Sequence, residues 1–150
     1  MKLCRIATVI MIIAALLVPT VAAQETGNHS YIVTPAEDTV LKVNSPVIPM
    51  TADSIAQGET NWYSTNVAAG TKKLVIDLNW GNASNSLRLR IFAPDAVLGP
   101  FYDSYDGTAN GRICMSIEDS VGLYPGTWRL EVYGADVDGT EDYTILVSKQ

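Results

Sequence analysis

Ser86-Leu87-Arg88-Leu89-Arg90-Ile91 changes polarity at every step and runs into Phe92. Successive side chains of a β-strand point to opposite faces. Leu87, Leu89 and Ile91 therefore ask for a core on one side, and Arg88 and Arg90 ask for water on the other. The 3.6-residue repeat of a helix would not separate the two sets. The same period recurs along the chain. Residues 73–80 set Leu74, Ile76, Leu78 and Trp80 on one face, and residues 127–133 set Trp128, Leu130 and Val132 against Arg129 and Glu131. Residues 112–117 alternate around Cys114, and 62–67 and 143–147 are further candidate strands. Between them stand Gly81-Asn82-Ala83-Ser84-Asn85, Asp106-Gly107, Asn110-Gly111, Pro125-Gly126 and Asp138-Gly139, all turn chemistry. No segment after residue 23 carries a convincing helical repeat. The pattern predicts an all-β fold over residues 53–150, an antiparallel β-sandwich or jelly-roll-like arrangement.

The first 23 residues have the physics of a secretory leader. Lys2 and Arg5 precede an almost wholly apolar run from Ile6 to Val18, and Val21-Ala22-Ala23 supplies small residues for a peptidase. A retained membrane anchor is the competing reading. The run is shorter than the roughly 20 residues that cross a bilayer, so cleavage is expected, with no stable membrane span afterwards. Cys4 leaves with the leader. Residues 24–52 hold Pro35, Pro46 and Pro49 among polar spacers and form an N-terminal extension with room for an edge strand, Tyr31-Ile32-Val33 and residues 39–43 being candidates.

The net charge is −6, and −8 once Lys2 and Arg5 are removed. Phosphate binding needs clustered Lys and Arg, so this balance argues against nucleic acid as a partner. Cys114 would remain as a single cysteine, which excludes an internal disulfide. It is read as a small buried strand residue, with a reactive thiol or an intermolecular bridge as the alternative. Asn28-His29-Ser30 and Asn82-Ala83-Ser84 are N-x-S/T patterns, which makes Asn28 and Asn82 candidate glycan acceptors.

Gly58-Glu59-Thr60-Asn61-Trp62-Tyr63 resembles the opening motif of bacterial and archaeal pre-peptidase C-terminal (PPC) domains. Ala69-Gly70 with Leu74-Val75-Ile76-Asp77-Leu78 resembles the next turn and strand. Residues 87–95 resemble a middle strand running to a proline, and Pro125-Gly126-Thr127-Trp128-Arg129-Leu130-Glu131-Val132 resembles a late strand. The likeness covers about 95 residues and is similar to versions in secreted proteins of methanogenic archaea. It implies a compact secreted β-sandwich that serves binding, secretion or stability beside hydrolases or on surface proteins, and some members bind calcium. Ser86-Leu87-Arg88 stands where the family often has an aspartate-leucine-tyrosine signature.

Two kinds of site are legible. In residues 102–111, Asp103, Asp106 and Asn110 offer hard oxygen ligands among glycines, the chemistry calcium takes, although the spacing is not that of an EF-hand. The alternative is a solvated hairpin whose Asp and Asn side chains cap turns. Asp136, Asp138, Glu141 and Asp142 form a second acidic cluster with the same two readings. Phe101, Tyr102 and Tyr105 lie beside the first loop and are candidate ligand contacts, whereas alternation assigns Trp80 and Trp128 to the core.

Catalysis finds little in the sequence. His29 lies in the extension, and there is no G-x-S-x-G, H-E-x-x-H, phosphate loop or metal-spaced Cys/His set. The expected function is that of a secreted, non-enzymatic binding module at the cell surface or in the medium, with calcium as candidate cofactor. Its partner would be an extracellular polymer, a surface protein or a secreted hydrolase. A structural unit of an envelope layer is the alternative, and a small hydrolase or inhibitor the third reading.

Overall fold

The computed structural model describes residues 21–22, 29–36 and 51–150. The leader apart from Val21 and Ala22, the candidate strand at 39–43 and Asn28 lie outside the described residues. The strands are β1 (Val21–Ala22), β2 (Ile32–Pro35), β3 (Thr51–Ala56), β4 (Thr60–Val67), β5 (Lys73–Asn79), β6 (Ser86–Phe92), β7 (Val97–Tyr102), β8 (Arg112–Glu118), β9 (Gly126–Asp136) and β10 (Thr140–Lys149). They form two antiparallel sheets, one ordered β1-β2-β8-β5-β10-β3 and the other β4-β9-β6-β7. The sheets are packed as a sandwich.

The alternating segments supply the core. In the four-stranded sheet, Leu89 stands opposite Val132 and Ile91 opposite Leu130. In the larger sheet, Ile76 stands opposite Met115 and Leu78 opposite Ile113. All eight side chains are essentially inaccessible to water. Burying one such aliphatic chain stabilises the fold by roughly 1.5–3 kcal/mol, so these rows, rather than any one pair, hold the sheets together. Trp80 and Trp128 are both in the core. Their indole N–H groups donate to the backbone carbonyls of Asn82 and Asn85 (3.0 and 3.1 Å) and of Tyr124 (2.9 Å), which lets each ring be buried without stranding a donor.

The structure adds elements that alternation does not announce. Val97–Tyr102 is an edge strand of the four-stranded sheet, with Phe101 opposite Leu89. Gly99-Pro100 interrupts its pattern, and an edge tolerates the missing N–H of proline. The outward row of the larger sheet is also less exposed than alternation predicts. Val75 is fully buried, with Ser116 and Ser148 opposite it on the flanking strands and buried too.

His29 and Tyr31 are built into the sandwich rather than into a loose arm. His29 Nδ1 lies 3.1 Å from both Asp119 Oδ2 and the Gly122 carbonyl. Both are acceptors, so that nitrogen carries the proton. The Tyr31 hydroxyl donates to Asp95 at 2.6 Å, and its ring meets Trp128 edge-on at 5.4 Å. Val33 is in the core, and β2 pairs with β8.

Candidate functional site

The acidic loop is a device for holding backbone. After β7 the chain makes a 3-10 turn at Asp103–Asp106, closed by Gly107 in the left-handed region. Asp103 is 6% exposed. Its Oδ1 accepts the N–H groups of Asn110 and Gly111 at 3.0 Å and of Arg112 at 3.1 Å, and its Oδ2 accepts Gly111 again at 3.0 Å. Asp106 accepts the Thr108 N–H at 2.9 Å. A cation needs the lone pairs that these N–H groups occupy. Asp103 thus faces the backbone, and Asn110 reaches it through a main-chain N–H, the arrangement expected of the turn-capping alternative. Among the described residues no three His, Cys, Asp or Glu side chains are grouped to hold a metal.

The second acidic cluster divides in the same way. Glu141 is buried and accepts the amide groups of Asn82 (3.0 Å) and Asn85, while Asn85 Oδ1 accepts the Asp138 N–H at 3.0 Å. Glu141 thus ties the 81–85 turn to the start of β10. Asn82, the candidate glycan acceptor, is exposed, and its amide nitrogen is the atom bonded to Glu141.

The three candidate contact aromatics line one shallow depression together with Gly99, Pro100 and Ser104, but differ in exposure. Phe101 is 3% exposed and belongs to the core. Tyr105 packs edge-on against it, 4.9 Å between centroids. Burial pushes the Tyr105 phenol up to about 12. Tyr102, 43% exposed, is the one of the three that faces solvent.

The motif at residues 58–63 explains itself once folded. Gly58 turns the chain with a positive φ of 77°, and the Glu59 carboxylate accepts the Ala56 N–H at 2.9 Å across that turn. Asn61 donates to the Ser54 carbonyl (3.0 Å) and to the Tyr143 hydroxyl (2.9 Å). Tyr63 donates to Asp53 at 2.9 Å and touches the Tyr143 hydroxyl. This knot joins β4 of one sheet to β3 and β10 of the other. Burial, then the neighbouring Tyr143 and Asp53, push the Tyr63 phenol well above its ordinary range. Beside the knot lies an open depression of ≈ 640 Å³, with Asp53, Trp80, Asp142 and Tyr143 among its lining residues.

One motif residue has no such internal task. Trp62 is 47% exposed on the outer face of the four-stranded sheet. The Arg129 guanidinium lies over its ring, 4.4 Å from the centroid, and Phe92 sits 5.4 Å away at a tilt. Next along the face, the Arg88 guanidinium lies 4.2 Å over the Tyr133 ring and donates to Glu131 at 2.6 Å. Arg90 stands opposite Glu131. The face is thus an alternation of flat aromatic and guanidinium groups. The sequence showed Arg88, Arg90, Arg129 and Glu131 as the outward half of their strands, and left the faces of Trp62, Phe92 and Tyr133 unassigned. Their gathering needed the β4-β9-β6 order, which alternation does not supply.

On the larger sheet, Arg112 grips Asp77 with two nitrogens at 2.7 and 2.9 Å. Burial raises the Asp77 carboxyl to about 6. Cys114, opposite Asp77, is buried and its thiol is pushed up to about 11, chiefly by burial. Neither property suits a nucleophile.

The family model described as the bacterial pre-peptidase C-terminal domain matches residues 59–134. An uncharacterized protein of Archaeoglobus fulgidus is 44% identical over 43 residues, which are 29% of this chain and 59% of that protein, so the match spans about three-fifths of the relative. The crystal structure of Aeromonas hydrophila PliG, a periplasmic lysozyme inhibitor of g-type lysozyme, is similar with a TM-score of 0.45 at 19% identity, covering 71% of this chain and 89% of that one.

Proposed function

The chain belongs to the bacterial pre-peptidase C-terminal domain family, and we propose that it acts as a secreted, non-catalytic binding module whose contact surface is the outer face of the four-stranded sheet. The observation that carries this reading is Trp62, a large aromatic left half in water while its motif neighbours Asn61 and Tyr63 join the sheets. An indole so placed costs solubility and adds nothing to the core, and exposed aromatics beside arginine are the groups that dominate recognition surfaces. The leader-like residues 1–23 favour export. Among the described residues no helix is long and apolar enough to cross a membrane.

The preferred partner is an extracellular polymer, ahead of a surface protein or a secreted hydrolase. Flat stacking groups on a flat face suit repeated sugar rings better than they suit a protruding side chain. Calcium has no part in this reading, because Asp103 serves the backbone.

Co-sedimentation of the full chain with insoluble polysaccharides and with cell-envelope fragments tests the proposal. Retention of the wild-type chain that weakens in Trp62→Ala, at an unchanged melting temperature, supports it. Equal retention of both chains on every matrix moves the contact surface elsewhere. No retention of either on any matrix removes the binding reading.

A further inference from the structure

Resting on that reading, we infer that the ligand of this face is an acidic polysaccharide, a chain of sugars bearing carboxylates. Charge is the first ground. The chain is acidic, with a net charge of −6, yet three of its five arginines, Arg88, Arg90 and Arg129, share the outer face of one sheet. The strand residues of that face offer two carboxylates, Glu131, whose hydrogen bond goes to Arg88, and Asp136, which stands opposite Ser86 at the far end of the face. Arg90 and Arg129 have no carboxylate or other hydrogen-bond partner among the described residues. An anionic polymer would thus be drawn to this face and repelled by the acidic remainder, which fixes where and how it docks.

Geometry is the second ground. Arg129 stands opposite Phe92, and Arg90 stands opposite Glu131, two residues further along β9. The two free guanidinium groups are therefore diagonal neighbours across adjacent strands, within reach of successive groups on one extended ligand. The Arg129 guanidinium carbon lies 4.4 Å over the Trp62 ring, and its N–H groups make no hydrogen bond among the described residues. A planar guanidinium presented in this way matches a carboxylate with two parallel hydrogen bonds. The Trp62 ring beside it offers an apolar surface for the C–H face of a sugar. Carboxylate and sugar ring are thus met side by side, the alternation a uronate polymer carries.

The charge lies on the sheet face and not along an open strand edge, where an acidic peptide would add as an extra strand. This favours the polysaccharide.

Affinity electrophoresis and calorimetry with polygalacturonate test the inference, with polyglutamate and a neutral glucan beside it. The full chain should bind polygalacturonate more tightly than either. Arg90→Gln and Arg129→Gln should each weaken binding about tenfold, the loss expected for a charge-assisted hydrogen bond. Trp62→Ala should weaken polygalacturonate binding and leave any polyglutamate binding as it was. All three positions lie outside the core, and an unchanged melting temperature verifies that each variant is folded. Two results overturn the inference. One is polyglutamate binding as tight as polygalacturonate binding, which would make the face a simple anion exchanger or a peptide site. The other is neutral glucan retention that depends on Trp62 and ignores both arginines, which would leave the binding module standing and remove its acidic ligand.

Discussion

Asp103 accepts the backbone N–H of Gly111 with both carboxylate oxygens, each at 3.0 Å. The same Oδ1 takes two more main-chain donors, so one side chain closes the entire turn between β7 and β8. Asp103→Ala strands these N–H groups, one of them on buried Gly111, and the expected loss is about 2–4 kcal/mol of unfolding free energy by urea denaturation. Because both carboxylate oxygens already face backbone donors, calcium and EDTA should leave the wild-type melting temperature where it is. A saturable rise with calcium that Asp103→Ala abolishes would return the loop to metal binding.

Gly134 of β9 packs tightly against Ala56 at the end of β3 in the other sheet. Its N–H donates to the Glu59 carbonyl at 3.1 Å and its carbonyl accepts the Gly58 N–H at 2.9 Å. A Cβ placed there would lie 2.2 Å from the Ala56 carbonyl oxygen. That neighbour is backbone and cannot swing aside, so Gly134→Ala should cost about 3 kcal/mol or more or prevent folding. Gly70→Ala serves as the comparison, since its added Cβ meets nothing within 4 Å. Its positive φ of 87° still carries a cost of about 1 kcal/mol. Similar midpoints for the two variants would contradict the close-approach argument.

Alternation carried a specific part of this fold and stopped at a specific point. Leu87, Leu89, Ile91, Trp128, Leu130 and Val132 are all buried, because a period of two is a local property that the sequence displays directly. The burial of Phe101 was not legible because Gly99-Pro100 hides an edge strand, and because an aromatic beside Asp103 looks like a loop residue when its partner, Leu89, is unknown. The Asp103 carboxylate looked like a metal ligand for a related reason. Composition shows which oxygens are present and not which donors they face. His29 meets Asp119 ninety residues away, and nothing in its own neighbourhood indicates that contact. The site suffered most, since Trp62, Arg129 and Arg90 lie on three strands whose order is not written in any of them.

The segment from His29 to Ala36 should unfold with the sandwich. Tyr31→Phe removes the bond to Asp95 and should cost about 1 kcal/mol. Val33→Ala removes two methyl groups from the core and should cost about 2 kcal/mol. Both changes should lower the urea midpoint while leaving the slope of the transition unchanged, as expected for one cooperative unit. Wild-type midpoints in both variants would mean that the segment is a separable arm.

Alkaline titration reads the buried polar groups directly. The phenols of Tyr31, Tyr63, Tyr105 and Tyr143 are all raised, with burial the largest cause in each, and the Cys114 thiol is raised to about 11. Each is an acid whose neutral form the folded state prefers. The unfolded chain therefore ionises first, releasing protons that the folded chain still holds. The stability these groups contribute is whole below the unfolded values of 9.0 for the thiol and 10.0 for the phenols. It is lost as pH rises through the folded values, about 11 for Cys114 and about 12 for Tyr105. The melting temperature should accordingly hold up to about pH 9 and fall steeply beyond it, as expected when buried groups are forced to charge. Ultraviolet titration should show tyrosinate absorbance from these four rings only as the protein unfolds, in one step with the loss of β-sheet circular dichroism. Tyr63→Phe removes one such group and the hydroxyl between Asp53 and Tyr143. It should lower stability at pH 7 and flatten the decline above pH 10. A smooth ionisation of all seven tyrosines near pH 10 in a chain that stays folded would show that the knot at Tyr63 and Tyr143 is open to solvent.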